Sequence, residues 1–129
     1  MIVADTDVLI DFLEGRQPGA QAVAEALAAG QLKTTAISCF ELLSGALRPR
    51  PRKAVHSLLD SLAALPLDRD AAQKAADVHQ ELEHSGVGIG MADSLIAGIV
   101  LHHGASLLTR NRRHFERVSN LPLLDPAAR

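Results

Sequence analysis

Tryptophan and tyrosine are absent from this sequence of 129 residues, and Phe12, Phe40 and Phe115 are its only phenylalanines. Nucleic-acid binders of the RRM or OB kind stack bases on exposed rings, so the composition argues against that type of platform. Cysteine is equally scarce. The lone Cys39 cannot form an internal disulfide or supply a cysteine-based zinc site, and a reducing cytoplasm is the expected compartment. Long apolar runs are also missing: the longest, Leu95 to Leu101, falls well short of the ~20 residues a membrane span needs. The opening Met1-Ile2-Val3-Ala4-Asp5 has no basic flank and reaches an acid too soon for a signal peptide. The reading is a soluble, cytoplasmic protein with no membrane partner.

A large charge of one sign is lacking as well. The formal net charge of −2 does not announce a nucleic-acid binder. Its distribution is uneven, however. Arg48, Arg50, Arg52 and Lys53 carry +4, Arg110, Arg112, Arg113 and Arg117 less Glu116 carry +3, and the remainder carries −9. Two basic patches therefore sit on an acidic body. What is present in quantity is ordinary globular material, 47% hydrophobic and 22% charged. A chain of this length buries roughly 65–70% of its unfolded surface, enough for one core, and a single domain over residues 1–129 is expected.

Hydrophobic patterning alternates short strands with helices. Ile2 to Ala4 reads as a strand, Asp5-Thr6-Asp7 as a turn, and Val8, Leu9, Phe12 and Leu13 as a helix face. Pro18 opens a helix over Ala20 to Ala29 that Gly30 stops, and Leu32 to Ile37 has strand content. Ser38 to Leu47 is helical, Pro49 and Pro51 break the chain, Ala54 to Ala63 is a helix, and Leu65 to Leu67 is extended. Then come a helix from Arg69 to His84, a loop carrying Gly86, Gly88 and Gly90, and an apolar helix from Met91 to His103 closed by Gly104. Ser106 to Thr109 is a strand, His114 to Val118 a helical turn, and Pro122 to Leu124 a last strand. This order predicts an α/β fold with a parallel sheet covered on both faces.

In such a sheet, ligands bind at the carboxyl ends of the strands. Asp5 falls there; it competes with Thr6 and Asp7 for the helix N-cap, the capping role suiting Asp7 better than a ligand role. Asp11, one turn on, reads as part of a solvated face. Glu41 completes a capping box with Ser38, a role that also aims it toward the edge where Asp5 lies. Asp93 stands on a helix face with Gly90, Ala97 and Val100, apolar on nearly every side, where a carboxylate needs a cation, a donor or a proton. Asp5, Glu41 and Asp93 can reach one edge, and a hard divalent cation, Mg²⁺ or Mn²⁺, resolves their repulsion. The histidines offer no rival site: His102 and His103 diverge on a helix, and His79 with Glu83 reads as a solvated pair.

Four blocks in this order resemble the PIN domain, and within it the VapC toxins of bacterial and archaeal toxin-antitoxin pairs. The first is Ile2-Val3-Ala4-Asp5-Thr6-Asp7-Val8-Leu9-Ile10-Asp11-Phe12-Leu13, the second Thr35 to Gly45 with Glu41, and the third Ala92-Asp93-Ser94-Leu95-Ile96-Ala97. The fourth, Leu107-Leu108-Thr109-Arg110-Asn111-Arg112-Arg113-His114-Phe115, departs from the family pattern, because many members carry an acid where Asn111 stands. Three acids remain instead of four, which bears on whether a second metal binds. The resemblance implies a three-layer α/β/α PIN-like fold with a central parallel sheet. It also implies a metal-dependent endoribonuclease acting on RNA, inhibited by a cognate VapB-type antitoxin and commonly a homodimer. Asp5, Glu41 and Asp93 would hold Mg²⁺ or Mn²⁺, and Asn111 would orient a metal-bound water. Thr109 would donate to a carboxylate or phosphate, Arg110, Arg112 and Arg113 would contact RNA phosphates, and Thr6, Asp7 and Ser38 would support the site.

Two rival readings stand beside this one. The first is a PIN-like module that has lost catalysis and only binds RNA or a protein. The second is a phosphatase of the haloacid-dehalogenase type, with Asp5 as covalent nucleophile and Asp7 as general acid. That chemistry needs a well-placed lysine and a paired acidic motif; Lys33, Lys53 and Lys74 are the only lysines, and Asp93 has no acid close behind it.

Overall fold

A computed structural model describes residues 1–128. Its centre is a sheet of five strands: β1 (Ile2–Ala4), β2 (Leu32–Thr35), β3 (Ala63–Leu65), β4 (Ser106–Leu108) and β5 (Leu123–Leu124). All neighbours pair in parallel, in the order β3-β2-β1-β4-β5. Parallel pairing requires a crossover between strands. The helices α1 (Thr6–Glu14) and α2 (Gly19–Ala28) supply the first, and α3 (Ala36–Gly45) and α4 (Pro49–Asp60) the second. The third is made by α5 (Arg69–His84) and α6 (Met91–His102), and the last by the short α7 (Arg112–Phe115).

Strand residues alternate between the two faces, and each face has its own core. Val3 and Leu107 join Ala71, Val78, Ile96, Ile99, Val100 and Phe115 under α5, α6 and α7. Their neighbours Ala4 and Leu108 join Val8, Leu9, Val23, Leu42, Val55 and Leu58 under the first four helices. Helices thus cover both faces, and the expected three-layer α/β/α arrangement is present. The pair α5 and α6 packs closely because Gly98 faces α5: a Cβ there would collide with the backbone of Ala75.

Several boundaries differ from the sequence reading. Pro49 and Pro51 do not break the chain; they start α4, where the missing N–H of a proline at the first helical positions costs nothing. The extended piece expected at Leu65 to Leu67 is β3, two residues earlier, so Ala63 is strand rather than helix. The strand expected to reach Ile37 ends at Thr35, whose hydroxyl accepts from the Ser38 N–H at 3.1 Å and caps α3. Ser38 therefore lies inside the helix and makes no capping box with Glu41. Finally, α7 runs from Arg112 to Phe115 instead of starting at His114.

Candidate active site

The strand order turns back on itself at β1: the chain moves outward through β2 and β3, then crosses to β4 on the other side. The carboxyl ends of β1 and β4 define the crevice at that switch point. Asp5 follows β1 and Thr109 follows β4. The two strands hold them together, for the Asp5 N–H donates to Leu108 O at 2.9 Å and Thr109 Oγ1 donates to Asp5 Oδ2 at 2.7 Å. Asp5, not Asp7, is the N-cap of α1; its Oδ1 accepts from the Thr6 N–H at 2.8 Å. Both Asp5 and Thr109 are buried.

Glu41 arrives from α3. Instead of reaching back to Ser38 it accepts at 2.7 Å from Thr6 Oγ1, which is also hydrogen-bonded to Ser38 Oγ at 2.9 Å. The glutamate is thereby set one residue from Asp5. Asp93, in the first turn of α6, is partly open rather than buried: its Oδ2 lies 2.7 Å from His114 Nδ1, and its side chain is 22% exposed. The same ring nitrogen is 3.2 Å from Asn111 Nδ2, and the Asn111 N–H donates to Thr109 Oγ1 at 2.9 Å. A continuous series of polar contacts thus joins Glu41, Thr6, Asp5, Thr109, Asn111, His114 and Asp93.

Asp7 is held by the backbone of Arg110. Its Oδ2 accepts from the Arg110 N–H at 3.0 Å and stands 3.4 Å from Thr109 Oγ1, the Val8 N–H also favours the carboxylate, and Oδ1 makes no well-formed hydrogen bond. The Asp5 carboxyl is pushed up from 3.8 to about 7, first by burial, then by the charge of Asp7 and, last, that of Asp93, against the bonds from Thr109 and Thr6. Asp7 is also raised, chiefly by burial. Negative charge is therefore in excess at this crevice, and the oxygens there are the hard donors that suit Mg²⁺ or Mn²⁺. Among the described residues no three His, Cys, Asp or Glu side chains close into a ready metal-binding group. Each candidate acid is instead satisfied internally: Asp5 by Thr6 and Thr109, Glu41 by Thr6, and Asp93 by His114.

The arginines separate into two kinds. Arg110 is committed to the fold: its Nε lies 2.7 Å from Asp11 Oδ2, with the Asp11 side chain 4% exposed. Asp11 is accordingly no solvated face. It is buried against Gly19, where a Cβ would collide with its carboxylate. Arg112 and Arg113 are exposed beside the crevice. His114 escaped the sequence reading as a site residue, although its position three residues after Asn111, on one helix face, was the available signal.

A parallel α/β sheet with acids gathered at its switch point places this chain among α/β proteins with an anionic, oxygen-lined crevice where such sheets take their ligands. Known proteins of similar sequence and shape sharpen that class. The PIN-domain family profile matches residues 2–121. The chain is 31% identical to VapC ribonuclease Y4jK of Sinorhizobium fredii, over 98% of this chain and 97% of that protein. It is 29% identical to ribonuclease VapC19 of Mycobacterium tuberculosis, over 94% and 97% of the two. In three dimensions it resembles VapBC2 from Rickettsia felis bound to a promoter DNA fragment, with a TM-score of 0.87 at 21% identity over 97% of this chain and 98% of that one. The chain belongs to the PIN-domain family, in its VapC branch.

Proposed function

We propose that this protein is a Mg²⁺- or Mn²⁺-dependent endoribonuclease toxin restrained by a cognate VapB-type antitoxin. The observation that carries the reading is the gathering of Asp5, Asp7, Glu41 and Asp93 at the switch point, with Asp5 buried and pushed up to about 7 by burial and by its acidic neighbours. Such a cluster is relieved by a proton on Asp5 or by a bound cation, and at neutral pH and above the cation is favoured. It also argues against a module that binds without a metal. The phosphatase reading loses its general acid, because Asp7 is tied to the Arg110 N–H and Thr109 rather than free to reach a substrate.

Asp5, Glu41 and Asp93 would hold the cation, directly or through water, since Mg²⁺ usually keeps several of its waters. When bound, the metal lowers the pKa of a water and neutralises charge on the phosphodiester oxygens. The remaining work falls to the chain. Thr109 keeps the Asp5 carboxylate aimed into the crevice, Thr6 does so for Glu41, and His114 for Asp93. Asn111 orients water, and Arg112 and Arg113 bind flanking phosphates. In-line attack of water on phosphorus breaks the bond to O3′, leaving a 5′-phosphate and a 3′-hydroxyl. The antitoxin half of the reading rests on the relatives, several of which are VapBC toxin-antitoxin proteins. An apolar groove of about 490 Å³, lined by Ile10, Leu13, Leu42, Ala46 and Val55, suits an amphipathic helix of such a partner. The helix over Ala20 to Ala29 does not line it, because Ala22, Val23 and Ala26 are in the core. The same proposal includes a homodimer.

The test is to incubate antitoxin-free protein and its Asp93→Asn variant with total cellular RNA in Mg²⁺, Mn²⁺ or EDTA, and to map the fragment ends. Metal-dependent cleavage by the wild type alone is expected, with the variant folded. Retained cleavage by the variant, or cleavage in EDTA, refutes the assignment.

A further inference from the structure

Beside the acid cluster lies an open cleft of about 370 Å³ between the 86–90 loop and α7, lined by Val87, Gly88, Ile89, Arg113, His114, Glu116 and Arg117. Its volume falls in the ~300–1,000 Å³ range that seats one small ligand. The two walls differ in chemistry. Val87 and Ile89 are half-buried, packed on the core beneath α6, and present a firm aliphatic surface. Opposite them, Arg113 and Arg117 have no ion-pair partner among the described residues, and Glu116 is the single acid. The wall itself is well anchored, because Phe115, between these residues, is fully buried. His114 belongs both to this cleft and to the acid cluster through its 2.7 Å contact with Asp93, so the two are contiguous.

We propose that this cleft is a nucleotide subsite for the RNA strand being cut: Arg113 and Arg117 hold the phosphate adjoining the scissile one, and the base lies against Val87 and Ile89. The inference rests on the ribonuclease reading and deepens it. A chain without tryptophan or tyrosine can seat a base on an aliphatic face and a guanidinium plane, both of which accept the flat face of any base. The arginines point to phosphate rather than to a carboxylate ligand because the acid cluster next door repels carboxylates unless a cation is present, and RNA brings its phosphates in register with that cation. A cleft of this kind selects one nucleotide position beside the cut and leaves more distant positions to other surfaces.

The experiment is run in Ca²⁺, with the RNA checked to be intact on a gel, so that the acid cluster is neutralised while binding is read without cleavage. A fluorescein-labelled single-stranded RNA of mixed sequence is titrated with wild type, with Arg113→Ala/Arg117→Ala, and with Arg48→Ala/Arg52→Ala, which removes the same charge from the α4 end of the molecule. The first double variant is expected to bind about tenfold or more weakly, with a salt slope shallower by about 0.7 for each phosphate that is no longer neutralised. The second is expected to match wild type. In parallel, a ¹⁵N-labelled sample titrated with each nucleoside 5′-monophosphate should show amide shifts at Val87, Gly88 and Ile89. Equal weakening in both double variants reveals a diffuse electrostatic effect and overturns the subsite, as does an unmoved 86–90 loop. If wild type cleaves RNA in Mg²⁺ while either of those results holds, the subsite falls and the ribonuclease stands. If wild type neither binds nor cleaves RNA, both fall together.

Discussion

Replacing Asp5 by Asn tests the charge excess directly. Asn keeps the cap on Thr6 and the shape of the Thr109 contact while removing the charge. In the unfolded chain the Asp5 carboxyl titrates at 3.8, and in the metal-free fold at about 7. An acid raised on folding contributes stability that is fully present below the unfolded value and is lost as pH rises through the folded one. Each pH unit between the two values costs about 1.4 kcal/mol, so from about pH 5 to about pH 8 the wild type should lose about 3 kcal/mol from this group. For a chain of this size that is a fall in Tm of about 10 °C. Thermal melts followed by circular dichroism in EDTA, at several pH values, are the assay. The quantity read is the difference between Asp5→Asn and wild type, which cancels the other titrating groups. It should vanish below about pH 3, reach about 1.6 kcal/mol near pH 5 and grow to about 4 kcal/mol in favour of the variant near pH 8. Adding Mn²⁺ at pH 8 should recover the wild type, by about 2.7 kcal/mol at a hundredfold excess over Kd, and leave the variant much less changed. Parallel Tm curves for the two proteins in EDTA would refute the claim that Asp5 is strained by burial and by its acidic neighbours.

Other substitutions probe single contacts. Arg110→Ala should destabilise the fold by about 2–3 kcal/mol, because it leaves Asp11 buried and unpaired; Arg110→Ala/Asp11→Asn should recover much of that loss in urea melts, and failure to do so would remove the ion pair as the cause. Gly98→Val should lower Tm by several degrees through overpacking against Ala75, and a neutral result would show that α5 can move aside. Ser94→Ala should stabilise by about 1 kcal/mol, since Ser94 Oγ is buried without a partner; destabilisation would mean that the hydroxyl is bonded in solution. His114→Ala should reduce RNA cleavage while leaving Tm within a few degrees, whereas unchanged cleavage at subsaturating metal would strip His114 of its role in positioning Asp93.

The layers of the fold were legible because short continuous apolar runs, Ile2 to Ala4 and Leu107-Leu108, suit buried parallel strands and alternate with segments of helical length such as the apolar Met91 to His103. What misled was local chemistry with more than one solution. Pro49 and Pro51 suit a helix start as well as a break, and only the packing of Val55 and Leu58 beneath the sheet selects the helix. Ser38 and Glu41 have capping-box spacing, yet Thr35 is equally able to cap, and using it starts α3 two residues earlier, at Ala36, and frees Glu41 for Thr6. Asp5, Glu41 and Asp93 were identifiable as acids at strand ends or helix starts. The partners of Asp11 and Asp93 were not, because Arg110 and His114 are remote in sequence and meet them only once β4 is paired.

That pairing has a consequence for timing. The contact between Asp5 and Thr109 spans 104 positions, and β1, although first in the chain, takes its second neighbour only when β4 arrives. During synthesis, a nascent chain that has not yet reached Ser106 holds Asp5 without Thr109, Asn111 or His114, and leaves one edge of β1 open. Such late, non-local closure slows folding. For a ribonuclease made on the ribosome, surrounded by RNA, it also means that the acid cluster cannot assemble until the residues after β4, 104 positions beyond Asp5, have been made, and the interval before that is one in which an inhibitor can be made and be waiting.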